Sequence, residues 1–306
     1  MSLTGFLQVR EVKDRFRTQF KKPAVTRKMI LQAKPLTNNY SLVGSAFDYL
    51  LRFYLENNNP SIKKSDLWLA EISLHLLETW TKRGQISESK FQSIKKIVET
   101  AKERHKKYLM IGVMTDELIS SSIQLARLEM VYRIGLLSDY IESVRSEDVE
   151  DLKKMISLIN PDHFKVTSLC VLNPTFGVAS IAIGGADADL ILDDALIEIK
   201  TTINPKFERD YFNQLIGYLV LKRISELKIL VLSQDAEKNN NTLPKEEAYD
   251  FSSLAGHRIN KIGVYFSRYG VIQTIDIRSI TNNGEFDEEF IDWFLTMGGI
   301  PDADAE

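Results

Sequence analysis

The stretch Gly184-Gly185-Ala186-Asp187-Ala188-Asp189-Leu190-Ile191-Leu192-Asp193-Asp194-Ala195-Leu196-Ile197-Glu198-Ile199-Lys200 decides how this chain of 306 residues is read. Two apolar runs flank Asp193-Asp194, as two strands flank a two-residue turn. With that turn, Leu192 faces Ala195, Asp189 faces Glu198 and Asp187 faces Lys200. Directly opposed residues have Cβ atoms about 5 Å apart. Carboxylates and an ammonium therefore crowd one face of a sheet. Like charges so placed are destabilising unless a cation lies between them. Oxygen-only ligands favour Mg²⁺ or Mn²⁺.

Strand alternation sharpens the reading. Glu198 and Lys200 share one face while Ile197 and Ile199 point to the other. The expected metal ligands are Asp189 and Glu198, with the Ile199 carbonyl between the functional side chains as a third. Asp187 has the same parity as Asp189 and is the alternative first acid. A three-residue turn would separate Asp189 from Glu198, so the choice rests on the turn at Asp193-Asp194. Downstream, Asp210 to Ile224 has helical spacing, with Phe212, Leu215, Ile216, Leu219 and Val220 as buried positions. Gln214 and Tyr218 stand i and i+4 on that helix and share a face. Lys206, Arg209 and Asn213 are nearby candidates for phosphate contact.

Asp189…Glu198-x-Lys200 followed by Gln214-x-x-x-Tyr218 resembles the PD-(D/E)XK nuclease superfamily, in particular its RecB-like branch with the Q-x-x-x-Y motif. The resemblance spans about residues 160–275. It implies a restriction-endonuclease-like core, a mixed central sheet flanked by helices, that binds Mg²⁺ and cuts DNA or, less often, RNA. Asp189 and Glu198 would be metal ligands and Lys200 the residue that positions the attacking water. Gln214 and Tyr218 would support the site and the nucleic acid. The family often places a further acid on a helix before the sheet. Glu129 is the leading candidate here and Asp48 a second. The implied enzyme is a Mg²⁺-dependent deoxyribonuclease. The alternative is a catalytically inactive protein of the same fold that binds nucleic acid or docks onto a nucleic-acid-processing complex.

The rest of the chain fits an α+β class with a large N-terminal helical region, 1–160, and a core over 161–300. Helices are expected over Ser45–Glu56, Ser65–Lys82, Ser87–Lys107, Thr115–Tyr132 with Thr115 as cap, and Ser146–Ile159. Lys165–Leu172 and Val178–Ile183 are rich in β-branched residues and read as strands. Ile229–Leu232 fits either a strand or a helix end, and the polar segment 234–258 reads as a loop. Lys261–Ser267 and Val271–Ile277 form a hairpin around Arg268-Tyr269-Gly270. Phe286–Leu295 is a last helix.

Composition bounds the rest. Hydrophobic residues are 44% and charged residues 26% of the chain, ordinary for a globular protein. No run approaches the roughly 20 apolar residues of a membrane span, and no signal peptide is evident, so a cytoplasmic protein is expected. The single cysteine, Cys170, excludes an internal disulfide and a cysteine-based zinc cluster, and reads as a buried small side chain. The four histidines, His75, His105, His163 and His257, form no His-Glu-x-x-His pattern. No phosphate-binding Gly-x-x-x-x-Gly-Lys-[Ser/Thr] loop occurs. Trp68, Trp80 and Trp293 read as core. Charge is uneven. Residues 1–110 carry 21 Lys+Arg against 10 Asp+Glu, a balance of +11, and residues 111–306 carry 18 against 32, a balance of −14. A basic lobe can supply sequence-independent phosphate contacts or a docking surface for a protein partner.

Overall fold

The computed structural model describes residues 2–25, 28–59, 62–64, 67–239, 254, 256–281 and 286–300. In chain order the elements are α1 (Leu3–Phe6), α2 (Arg10–Gln19), α3 (Tyr40–Asn58), β1 (Ile62–Lys63), α4 (Leu69–Lys82), α5 (Glu88–Ile111), α6 (Asp116–Ile134), α7 (Ser146–Ile156), α8 (Pro161–Phe164), β2 (Cys170–Leu172), α9 (Gly177–Ala182), β3 (Leu190–Leu192), β4 (Ala195–Lys200), α10 (Arg209–Asn239), β5 (Lys261–Phe266), β6 (Val271–Asp276) and α11 (Glu288–Gly298). The class is α+β. Six strands form one mixed sheet in the order β1-β2-β3-β4-β5-β6. β1/β2 and β4/β5 are parallel, and the other neighbours are antiparallel.

The alternation of β4 divides the core. Ala195, Ile197 and Ile199 face the layer built from α3 to α7. Leu196 faces the opposite layer, where α1, α2, α10 and α11 pack against Ile191, Ile262, Val264 and Phe266. Glu198 and Lys200 share the parity of Leu196, so they point toward α10. Gly263 of β5 stands opposite Ile197, and a Cβ there would lie 2.8 Å from both the Ile197 side chain and the Gln273 carbonyl oxygen. The close approach of β4, β5 and β6 at that point requires glycine. Gly270 closes the β5–β6 turn at φ 62°, where a Cβ would also lie 2.6 Å from the Leu158 carbonyl oxygen.

Local chemistry explains the helix ends. Thr115 accepts a hydrogen bond from the Leu118 N–H as the cap of α6, as its sequence position indicates, and Ser87 does the same for α5 through Lys90. Both helices stop at a glycine in the left-handed region, Gly112 and Gly135.

Three expectations are corrected. The run Val178–Ile183 is not a strand: its residues up to Ala182 lie in the helix α9, and Ile183 caps it. Ala179 and Ile183 are buried while Ile181 between them is 78% exposed, a separation that helical i,i+4 spacing produces and strand alternation does not. Ser180 stabilises the turn by accepting from the Phe176 N–H and donating to the Ala186 carbonyl. Only Cys170–Leu172 of the 165–172 run joins the sheet. The N–H groups of Thr167, Ser168 and Leu169 go instead to the Asp193 carboxylate. Finally, α10 runs through Ile229–Leu232 to Asn239, so the expected loop does not begin at residue 234. Residues 240–253 and 255 of that expectation lie outside the described residues.

The other expectations fare as follows. The five positions proposed as the buried face of α10 are all buried. The β5–β6 hairpin forms around Arg268-Tyr269-Gly270. Cys170 is buried, and burial pushes its thiol up to about 12. Trp68, Trp80 and Trp293 are half-buried at the rims of the two cores.

Candidate functional site

The hairpin turn is the two-residue one. Leu192 pairs with Ala195, Ile191 with Leu196 and Leu190 with Ile197, which sets Asp189 opposite Glu198. Asp193 takes φ 50°, a left-handed conformation that Asp tolerates better than most residues. Its carboxylate receives three backbone N–H bonds from the 167–169 segment and side-chain bonds from Thr167 and Ser168. Partial burial opposes its charge, but these donors hold its carboxyl well below the usual range. The Asp194 carbonyl accepts from the Asn260 and Lys261 N–H groups, and its carboxylate accepts from Asn260 Nδ2 at 3.2 Å and Lys261 Nζ at 3.3 Å. The two turn acids are therefore committed to structure.

The functional face lies at the other end of the hairpin. Asp189 Oδ2 accepts from the Ile199 N–H at 2.6 Å. Lys200 Nζ donates to Glu198 Oε2 at 2.7 Å and to Gln214 Oε1 at 3.2 Å. Gln214 Nε2 donates to the Tyr218 hydroxyl at 2.9 Å, and that hydroxyl donates to the Asp187 carbonyl at 2.7 Å. One chain of bonds thus runs from Glu198 through Lys200, Gln214 and Tyr218 back to the segment just before β3 that carries Asp187 and Asp189. Lys200 Nζ also lies 5.1 Å from the centre of the Tyr211 ring, a cation–π contact.

Charge is unbalanced here. Glu198 is 2% exposed, and its Oε1 is buried without a hydrogen-bond partner. Asp189 has its carboxyl raised well above the ordinary value by burial and by the charges of Glu198 and Asp48, against which Lys200 and the Ile199 N–H act only in part. Burial opposes the Lys200 charge, but Glu198 and Asp189 outweigh it and raise its ammonium. Tyr218 is raised by burial and by Glu198 and Asp189, so it stays a neutral donor.

Asp48 and Glu129 reach this neighbourhood from the other layer. Both sit on helices at i relative to an arginine at i+4. Arg52 bonds Asp48, and Arg133 Nε bonds Glu129 Oε2 at 3.1 Å. Arg52 Nη1 also donates to Asn173 Oδ1 at 2.7 Å, and the Asn173 N–H donates to the Asp189 carbonyl. Burial raises Asp48, and Glu129 and Asp187 add to it against Arg52. Asp48 Oδ1 and Glu129 Oε1 are also buried without partners. Asp187 itself is exposed at the rim. The sequence reading missed Arg52 and Arg133, although Asp48-x-x-x-Arg52 and Glu129-x-x-x-Arg133 repeat one helical pairing pattern.

Among the proposed phosphate contacts, Lys206 is exposed and Arg209 is half-buried, donating to the Phe16 carbonyl at 2.7 Å. Asn213 is 2% exposed and points into the core, so it is unavailable to a ligand. Its place beside Phe212 on the inner face of α10 accounts for this.

Could the face hold a divalent cation? Glu198 Oε1 is an orphaned buried oxygen next to a second carboxylate, a donor set that suits a hard cation. Among the described residues, no three His, Cys, Asp or Glu side chains converge in metal-holding geometry. A cation here would take Asp189, Glu198 and the Ile199 carbonyl, with water and substrate oxygens completing its shell. No helix among the described residues is long and apolar enough to cross a membrane. Comparison with family models, with curated proteins and with solved structures finds no match to this chain.

Proposed function

We propose that this chain is a divalent-metal-dependent nuclease of the PD-(D/E)XK kind, close to its RecB-like branch, hydrolysing phosphodiester bonds with DNA as the expected substrate. One observation carries the reading. Glu198, Lys200, Gln214 and Tyr218 form one chain of hydrogen bonds, Asp189 beside them accepts from the Ile199 N–H, and Glu198 Oε1 is left without a partner. The mixed sheet with helices on both faces is compatible with a restriction-endonuclease-like core.

In this reading Asp189, Glu198 and the Ile199 carbonyl hold Mg²⁺ or Mn²⁺. The bound cation supplies Lewis-acid stabilisation of phosphate charge and a water of lowered pKa. Lys200 holds the attacking water and offsets charge on the phosphate. Its ammonium is kept protonated and aimed by Glu198, Gln214 and the Tyr211 ring. Tyr218 ties Gln214 to the Asp187 carbonyl, which fixes the helix face against the hairpin. The supporting residues are themselves locked by packing, as a preorganised site requires.

The test is a cleavage panel over linear, circular and single-stranded DNA and RNA with Mg²⁺ or Mn²⁺. Cutting by the wild type and its loss in Lys200→Ala are expected. No cutting of any substrate, alone or with a co-purified partner, would end the proposal. A second reading, a nuclease-fold protein that binds nucleic acid without cutting, is favoured by the lack of a three-side-chain metal cluster among the described residues. It predicts salt-sensitive binding that Lys200→Ala leaves unchanged.

A further inference from the structure

A pocket of about 230 Å³ lies between α10, the segment 256–260 before β5 and the residues that follow β6. His257, in its lining, donates through Nε2 to the Asp193 carbonyl at 2.6 Å, since a carbonyl can only accept. The pocket therefore sits at the turn end of the hairpin. The Asp189–Glu198–Lys200 face lies at the other end, and β4 advances about 17 Å from Ala195 to Lys200.

Charge sets this pocket apart. Among the described residues its lining holds four cations, Lys222, Arg223, Arg258 and Arg278, and one acid, Glu226. Lys222, whose side chain is 8% exposed, pairs with Glu226. Arg278 takes both carboxylate oxygens of Asp276, at 3.1 and 2.7 Å. Arg223 and Arg258 have no hydrogen bond or ion pair among the described residues, so two positive charges are left over. The larger groove beside Asp187, about 600 Å³, shows the opposite arrangement. Arg52, Lys64 and Arg133 line it, and each is paired with an acid, Asp48, Glu56 and Glu129.

We propose that the smaller pocket binds a phosphate group between Arg223 and Arg258, either free or as the monoester of a small organic molecule. Like charges held together in a concavity repel one another and focus a field that draws an anion. Each guanidinium is a rigid fork that matches two oxygens. One fork satisfies a carboxylate, whereas two forks suit the greater number of oxygens on a phosphate. The two arginines stand on different elements, so it is the fold that brings them to one pocket. The size agrees. A water fills about 30 Å³ of liquid, so the pocket has room for a phosphate and a few carbon atoms. Leu219, Ile259 and Phe286 in the lining offer those carbons an apolar wall. The inference does not depend on the nuclease reading.

The test is calorimetric titration of the full chain, free of divalent metal, with inorganic phosphate, glycerol 3-phosphate and glycerol. Arg223 and Arg258 are exposed and support no other residue, so Arg223→Gln and Arg258→Gln should keep the fold, checked by circular dichroism. Both phosphates should bind the wild type saturably and glycerol should not. Each variant should weaken binding about tenfold or more, the scale of one charge-assisted contact. Arg223→Lys should weaken it less than Arg223→Gln. Lys96→Gln, an equal loss of charge at an exposed position of α5, should leave it unchanged. Equal affinity for the two phosphates would assign the pocket to the free ion, and tighter binding of the ester would assign it to a monoester resting on the apolar wall. Cleavage of DNA is measured separately, so loss of either reading leaves the other standing. Absence of saturable phosphate binding, or binding in both arginine variants equal to that of wild type, would overturn the proposal.

Discussion

Two charge clusters of this protein, one fully buried and one partly buried, are built differently. Arg268 and Asp151 are 1% and 0% exposed in their side chains and form a two-pronged pair at 2.8 and 2.9 Å, with Arg268 also donating to the Ala33 carbonyl at 3.1 Å. Neither leaves a buried polar side-chain atom without a partner. Asp189, Glu198 and Lys200 have one cation for two acids, with Asp48 and Glu129 behind them, and three carboxylate oxygens in the region are unpartnered. A balanced buried pair fixes how the β5–β6 turn sits against α7. An unbalanced one costs stability, a cost that the proposed cation would offset.

The sharpest way to break this contrast is activity. Lys200→Ala and Glu198→Ala should each lower cleavage by about 10²–10⁴-fold, the scale of losing a proton-handling or charge-stabilising group, while leaving the fold intact by circular dichroism. If activity persists in both, the unbalanced cluster is not a catalytic site. The balanced pair should behave oppositely. Asp151→Ala strands a buried guanidinium and should cost about 3–5 kcal/mol of stability by denaturant unfolding. A cost near zero would mean that the pair is not what docks α7.

Cation binding sharpens the comparison. In thermal unfolding, Mg²⁺ or Mn²⁺ should stabilise the wild type by up to about 2.7 kcal/mol at a hundredfold excess over Kd. Asp189→Asn or Glu198→Gln should abolish that gain, and Asp151→Asn should not.

The pH dependence has a definite sign. Asp189 in the folded, metal-free protein holds its proton above the ordinary Asp value of 3.8. Between that value and its raised one the folded state binds more protons than the unfolded state. The Asp189 contribution to stability therefore falls as pH rises through this window. Unfolding in EDTA across the mildly acidic range should reveal the decline, and Asp189→Asn should flatten it. Cation affinity should rise with pH over the same interval, because binding displaces that proton. The smallest effect is Tyr218→Phe, which removes one donor to the Asp187 carbonyl and one acceptor for Gln214. It should cost about 1 kcal/mol and lower activity only modestly.

Much of the site was legible because its parts are local. Strand alternation put Glu198 and Lys200 together, and the two-residue turn at Asp193-Asp194 put Asp189 opposite them. Helical spacing put Gln214 and Tyr218 on one face. The reading failed where long-range partners overrode local preference. The β-branched run at 178–183 formed a helix because Ala179 and Ile183 had a core to enter and Ile181 did not. The segment at 167–169 left the sheet because Asp193 offered its N–H groups a better acceptor. Asn213 read as a phosphate contact yet is buried, since the rotation of α10 against the sheet is set by packing.

By itself, the sequence determined the hairpin, its register and the residues of its acidic face, since two-residue and 3.6-residue periods act within a few neighbours. Only the tertiary structure decided that Asp48 and Glu129 arrive with their own arginines, that Lys200 rests against Tyr211, and that a groove opens beside Asp187. Those features depend on where α3, α4, α6 and α9 pack around the end of the sheet. That packing is set by the sum of many buried contacts, which no short stretch of sequence contains.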